Sequence, residues 1–191
     1  GLEQSCVDLI AEPEMTEYIL RRITDFSWEY ATRFFEAAPG KFHITEVTDD
    51  YGSQHGLMIS AESYRKWFKP IQKKFIDLAH QAGVLVMHHD DGAIRPIIPD
   101  FIELGVDILN PVQHNCPGME LAGLKRDFGD KLCFHGAVDN QDVLPHGSVE
   151  DVRRGVRPVK GQDADIVLGD VPSNPFGHGR SGYRRCRLRA S

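Results

Sequence analysis

Cysteine, basic excess and long apolar runs are all scarce in this chain, and each shortage excludes something. The four cysteines, Cys6, Cys116, Cys133 and Cys186, are dispersed over 191 residues without a Cys-x-x-Cys pair. That spacing argues against a structural zinc site or a disulfide framework, and each cysteine reads as a small buried hydrophobe. No apolar run approaches the roughly 18–20 residues of a membrane span. The 22 Lys+Arg are outnumbered by 28 Asp+Glu, giving a net charge of −6. Such an acidic chain lacks the electrostatic footprint of a nucleic-acid binder. Gly1-Leu2-Glu3-Gln4 has neither a basic stretch nor an apolar core of a secretory leader, so a cytoplasmic protein is expected. An initiator Met is also missing, which suggests a processed chain or a fragment. No Gly-x-Gly-x-x-Gly turn directly follows any expected strand, which weakens a dinucleotide-binding reading.

What is present is an ordinary globular balance, 41% hydrophobic and 26% charged, enough to bury a core and unlike a disordered segment. One pattern recurs: an amphipathic helix, a short apolar strand, then a polar cluster. Pro13 reads as a first helical residue, and 14–36 carries Ile19, Ile23, Phe26, Tyr30 and Phe34 at helical spacing, stopped by Pro39-Gly40. Ser60 opens a second helix with Tyr64, Phe68, Ile71, Phe75, Ile76 and Ala79 on its apolar face, ended by Gly83. Further helices are expected at 94–104, broken by Pro96 and Pro99, and at 119–128 and 149–156. Strands are expected near 42–48, 84–88, 106–109, 132–135 and 165–168.

Helices alternating with buried strands imply parallel βαβ units. Polar clusters after four successive strands favour a (β/α)8 barrel over an open sheet, because a barrel shares its site among many strand ends. A full barrel takes about 250 residues at some 30 per unit, so the expectation is an α/β, TIM-type (β/α)8 barrel with about five units present, over 1–171. Open strand edges in such a barrel predict self-association into homo-oligomers. Residues 172–191 read differently. Arg180, Arg184, Arg185, Arg187 and Arg189 are accompanied by only Phe176 and Leu188 as large aliphatic or non-polar aromatic residues, a composition that fits either a basic arm or a tail outside the core.

The polar clusters carry the candidate chemistry. In His88-His89-Asp90-Asp91-Gly92, extended backbone points His89 and Asp91 to one side and His88 and Asp90 to the other. An imidazole beside a carboxylate can ligate a divalent metal or act as an oriented acid–base pair. Alternatively one His packs behind the strand while the Asp residues cap the next turn. Asp49-Asp50 can orient a cationic group, bind metal or hold a raised-pKa acid, or can simply form a turn with Tyr51-Gly52. Asn110 and Gln113 offer neutral amides for orienting a substrate. His135, Asp139, Asn140 and Gln141 supply another imidazole and carboxylate.

Taken in order, these segments resemble the uroporphyrinogen decarboxylase superfamily. The resemblance rests on Asp49-Asp50-Tyr51-Gly52-Ser53-Gln54 with Ile59-Ser60, and on His89-Asp90-Asp91-Gly92 with Ile97-Ile98-Pro99-Asp100. It continues through Gly105-Val106-Asp107-Ile108-Leu109-Asn110-Pro111-Val112-Gln113, Gly118-Met119, Phe128-Gly129-Asp130 and Gly136-Ala137-Val138-Asp139-Asn140-Gln141. It implies a barrel with its pocket at the strand C-termini and one of two chemistries. The decarboxylases, lyases of porphyrin biosynthesis, act without metal or organic cofactor on a carboxylated tetrapyrrole. The corrinoid-dependent methyltransferases, which take a corrinoid protein as partner, bind zinc through His-x-Cys and a later Cys. Here that motif reads His89-Asp90-Asp91, a harder site less suited to a thiol acceptor, which tilts the expectation toward decarboxylation of a carboxylated small molecule with no cofactor. A methyltransferase using His89, Asp91 and a divalent metal such as zinc is the alternative, and an inactive barrel used for binding is a third reading. Asp50, His89, Asp91 and Asp139 are the expected catalytic residues. Asp49, Tyr51, Asn110, Gln113, His135 and Gln141 are the expected substrate contacts.

Overall fold

The computed structural model describes residues 1–136 and 138–160. The expected strand at 165–168, the boundary at 171 and the segment 172–191 lie outside the described residues. In chain order the elements are α1 (Leu2–Ala11), α2 (Pro13–Ala37), β1 (Ile44–Thr48), α3 (Ala61–Trp67), α4 (Lys69–Gln81) and β2 (Leu85–His89). A 3-10 turn (Arg95–Ile97) then leads into α5 (Ile98–Leu104), followed by β3 (Ile108–Asn110), α6 (Leu121–Phe128), β4 (Cys133–Phe134), α7 (Val143–His146) and α8 (Val149–Lys160). Among the described residues no helix is long and apolar enough to cross a membrane.

All four strands are parallel and lie in the order β1-β2-β3-β4. A right-handed crossover that always steps the same way puts every connecting helix on one face of the sheet. Among the described residues the order never reverses and shows no switch point, as in a sector of a (β/α)8-type barrel. Period-2 alternation divides the side chains. Val86, His88 and Leu109 face the helices and are buried, with Phe101, Ile97, Ile98 and Tyr64 completing the core. Leu85, Met87 and His89 face the lumen and are half-buried.

Local chemistry sets the helix ends. Ser60 caps α3, its side chain accepting the N–H of Ser63 at 3.0 Å. The single helix expected from Ser60 to Gly83 is two helices, broken at Phe68. Pro70 supplies no N–H and its ring crowds the preceding turn, so α4 restarts with proline in its first turn. Gly105 closes α5 in the left-handed conformation at φ 92°. Asp100, on the first turn of α5, receives Arg65 and Lys69 from the α3–α4 pair, with Lys69 Nζ 2.8 Å from Oδ1. Burial alone would raise this carboxyl, but the two cations outweigh it and hold its pKa below the usual range.

The apolar row of α2 is helical as read from its spacing, yet Ile19, Ile23, Phe26, Tyr30 and Phe34 are exposed. The helix packs mainly through another side, with Thr16 and Thr24 buried and Trp28 edge-on to Phe75 at 5.8 Å, while at the end of the exposed row Phe34 stacks on Phe42 at 4.3 Å. Helix α1 carried no capping signal; Gly1 stands at its N-cap with no side-chain bond.

Candidate functional site

The site is a row of polar side chains on the lumen face, laid down by strand register. Thr48 pairs with His89 and His89 with Asn110, so the C-terminal ends of β1, β2 and β3 lie side by side. His89 sits at the centre. Its Nδ1 is 3.2 Å from Asn110 Oδ1 and 3.7 Å from Glu46 Oε1. Its Nε2 is 3.9 Å from Asp50 Oδ1 and 3.7 Å from Asp91 Oδ2. Asn110 continues the row, its Nδ2 lying 2.6 Å from His135 Nδ1. The Asp91 N–H also donates to Asp50 Oδ1 at 3.0 Å, tying the two loops together.

Asp50, His89 and Asp91 each offer one ligand atom, and these atoms all lie within 4.8 Å of one another. The 3.7–3.9 Å contacts of Nε2 are a few tenths of an ångström wider than the about 3.3 Å edge set by metal–ligand bonds of about 2.0–2.1 Å in a tetrahedron. One nitrogen and two carboxylate oxygens suit a divalent ion of borderline to hard character. Small rotations of two half-exposed carboxylates would close the set, so the residues present fit the zinc implied by the methyltransferase reading.

Behind the sheet lies a second polar layer. His88 and Asp90 are fully buried, with Nε2 and Oδ2 3.7 Å apart. Both His88 nitrogens and Asp90 Oδ2 lack a hydrogen-bond partner among the described residues. Asp90 Oδ1 accepts the backbone N–H groups of Tyr51 at 2.9 Å and Gly52 at 3.1 Å. Burial pushes the Asp90 carboxyl up, against the pull of His88 and of those two N–H groups. Tyr51 is buried beside it, its hydroxyl donating to Asp49 Oδ2 at 3.1 Å and accepting from Gln72 at 3.1 Å. Asp49 keeps an exposed edge, yet the groups crowding its carboxyl desolvate it and raise its pKa.

The loops after β3 and β4 form a shallow, open cleft next to Asp91, lined also by Gln113, His114, Asn115, Asp139 and Asn140. Gln113 Nε2 donates to Gln54 Oε1 at 2.8 Å. Asp139 Oδ1 accepts the N–H groups of Asp142 and Gln141, and Oδ2 accepts Asn115 Nδ2 at 2.6 Å. Those donors hold its carboxyl below the usual range. Cys116 is buried beneath this cleft with its thiol pushed up by burial and by Asp91.

The structure therefore gathers Asp50, His89, Asp91, Asn110 and His135 in one row, with Gln113 and Asp139 on the adjoining cleft. Tyr51 and Asp49 bond each other and Gln72 behind the sheet, and Gln141 is exposed with its backbone turned to Asp139. Glu46, Gln54 and Asn115 join the site without having been singled out. Glu46 had a usable signal: it stands four residues before Asp50, so an extended strand puts both on one face.

The comparisons agree with this architecture. The uroporphyrinogen decarboxylase (URO-D) family model matches residues 1–166. A methylated-thiol–coenzyme M methyltransferase of Methanosarcina mazei is 25% identical over 194 residues, covering 98% of this chain and 48% of that protein. A solved methyltransferase structure from Methanosarcina mazei aligns with a TM-score of 0.65 at 20% identity, over 92% of this chain and 50% of its own. The chain thus spans about half the length of the relatives it matches, and the four parallel strands take their place in a TIM-type barrel. With the family model covering most of its length, the chain belongs to the uroporphyrinogen decarboxylase family.

Proposed function

We propose that this chain carries one wall of a methyl-transfer site built on a divalent metal. The observation that supports it is the convergence of Asp50, His89 and Asp91 ligand atoms at the strand C-termini, where barrels place their chemistry. The methyltransferase named among the relatives favours the same reading. His89 Nε2, Asp91 Oδ2 and Asp50 Oδ1 would hold the ion, which when bound supplies Lewis acidity that makes an acceptor group easier to deprotonate. The protein's own side chains do the rest. Asn110 and Glu46 orient His89, and the Asp91 N–H to Asp50 bond keeps both carboxylates at the mouth. Gln113 and the polar lining of the adjoining cleft orient the acceptor. A corrinoid protein as methyl donor is the partner this reading entails. Two carboxylates with one imidazole make a harder site than thiolates would, so an oxygen-bearing acceptor suits it better than a thiol.

Decarboxylation of a carboxylated, tetrapyrrole-like substrate is the second reading. It draws on Asp49, whose raised carboxyl and Tyr51 hydrogen bond suit a proton donor to a carbanion. Metal analysis separates the two. Equilibrium dialysis against zinc or cobalt should retain one ion per chain, lost in His89→Ala and Asp91→Asn and kept in Cys116→Ser. Failure of the unmutated chain to retain an ion, or retention that depends on Cys116, overturns the methyl-transfer reading.

A further inference from the structure

Asn110 is bonded at both ends of its amide, and the two ends face different imidazoles. Oδ1 lies 3.2 Å from His89 Nδ1, and Nδ2 lies 2.6 Å from His135 Nδ1. An amide oxygen only accepts and an amide NH2 only donates. We propose that Asn110 is a positioning residue whose single amide sets the tautomers of both rings, His89 as Nδ1–H and His135 as Nε2–H. The inference deepens the metal-site reading, on which its functional consequence rests.

At His89 the acceptor Oδ1 requires a proton on Nδ1. The carboxylates around the ring, Glu46 at 3.7 Å from Nδ1 and Asp91 and Asp50 at 3.7 and 3.9 Å from Nε2, stand beyond hydrogen-bond distance on both sides, so the 3.2 Å Asn110 bond decides the tautomer. A neutral ring with its proton on Nδ1 has its lone pair on Nε2, the nitrogen that faces Asp50 and Asp91. Ligand orientation by a hydrogen bond at the far nitrogen is the usual device of histidine metal sites. At His135 the donor Nδ2 requires a lone pair on Nδ1, so the proton is on Nε2. His135 is then a neutral hydrogen-bond donor at Nε2, a group that recognises an oxygen acceptor such as a carboxylate or carbonyl of the substrate. Turning the amide over would reverse both rings at once, placing a proton on the His89 nitrogen that faces the carboxylates. Backbone bonds hold Asn110 from both sides: its carbonyl accepts the Asp90 N–H at 2.9 Å, and the His135 N–H donates to Leu109 O at 2.9 Å.

Long-range nitrogen–proton NMR of the whole metal-free chain reads the tautomers directly, with His89→Gln and His135→Gln assigning the signals and the pH set where both rings are neutral. The expected result is His89 as Nδ1–H and His135 as Nε2–H. Asn110→Asp is nearly isosteric but accepts at both ends, so His135 should switch to Nδ1–H while His89 stays unchanged. Asn110→Leu removes both bonds, and cobalt affinity should fall about 10–100-fold, as for loss of an outer-shell partner. His89 as Nε2–H in the unmutated chain, or an unchanged His135 in Asn110→Asp, overturns the proposal. The tautomers are read without metal, so a chain with the expected tautomers that binds no cobalt refutes the metal-site reading alone. Cobalt binding lost in His89→Gln, together with reversed tautomers, refutes the positioning role alone.

Discussion

Asp90 Oδ1 accepts the backbone N–H of Tyr51 at 2.9 Å across a sequence separation of 39 residues. That bond, with the one from Gly52 at 3.1 Å, fixes the chain leaving β1 against the end of β2. It thereby sets where Asp50 stands relative to His89 and Asp91. Asp90 makes no contact with the lumen itself, being buried on the helix side of the sheet.

Removing that acceptor should be costly in a specific way. Asp90→Ala leaves two backbone donors without their partner, at a cost of about 1–3 kcal/mol. Asp90→Asn keeps an oxygen for them and removes a charge that burial disfavours, so its cost should be smaller. Urea denaturation gives the stability order, and hydrogen exchange at the Tyr51 and Gly52 amides reports the clamp. Equal losses in the two variants would show that the backbone bonds are not what Asp90 contributes.

The pH dependence of stability has two opposed carboxylates to separate. The pKa of Asp100 is lower folded than unfolded. Its contribution is therefore present above the unfolded carboxylate value of about 3.9 and is lost as pH falls through the folded value. Asp90 is raised, so it binds its proton more tightly when folded; it costs stability at neutral pH, and acid relieves that cost. Asp100→Asn should lower the melting temperature at pH 7, with the gap from the unmutated chain closing below about pH 4. In Asp90→Asn the trend should be opposite, the unmutated chain gaining on the variant as pH falls below neutrality because protonation relieves its buried carboxylate. Thermal scans across pH check both signs.

Much of the site was legible because strand alternation is simple physics. Once 84–88 was read as a strand, His89 and Asp91 had to face one side and His88 and Asp90 the other, and burial of the second pair follows. The barrel sector was legible from where polar clusters followed apolar runs. Tyr51 was not, because a tyrosine after a strand reads equally as a substrate contact or as core; the Asp49 and Gln72 bonds that bury its hydroxyl span the fold. The α2 face was legible as a stripe, but periodicity says nothing of what covers a stripe. The break at Phe68 was missed because the apolar face of α3 runs into that of α4, and this continuity outweighed the local signal of Pro70.

Gly52 and Gly92 bring the β1 and β2 loops into contact, and side chains there should disrupt the site. A Cβ on Gly52 would lie 2.1 Å from Asp91 O, and one on Gly92 would lie 2.5 Å from Ser53 O with φ at +88°. Backbone must move in either case. Gly40→Ala is the control: its φ is +69° but nothing stands within 4 Å, so only the left-handed strain of about 1 kcal/mol applies. Gly52→Ala and Gly92→Ala should lower the melting temperature more than Gly40→Ala and also weaken cobalt binding. If Gly40→Ala weakens cobalt binding as much, loop contact is not the cause.

The exposed stripe on α2 should drive association of this chain with itself. Ile23 and Phe26 are 59% and 75% exposed and stand one turn apart, with Tyr30 a further turn on at 65%. Fully burying a large apolar side chain contributes about 1.5–3 kcal/mol, whereas association costs on the order of 4–15 kcal/mol in lost freedom. One such residue cannot hold a dimer, but the stripe from Ile19 to Phe34 together can. Among the described residues β1 pairs only with β2, so a strand edge is a second route to association. Light scattering should therefore show mass rising with concentration. The double variant Ile23→Glu, Phe26→Lys should suppress that rise and leave the melting temperature of the dilute chain unchanged, because neither side chain is in the core. Association that persists in the double variant would assign it to the β1 edge, and a chain that stays monomeric at high concentration would show that the stripe does not self-associate.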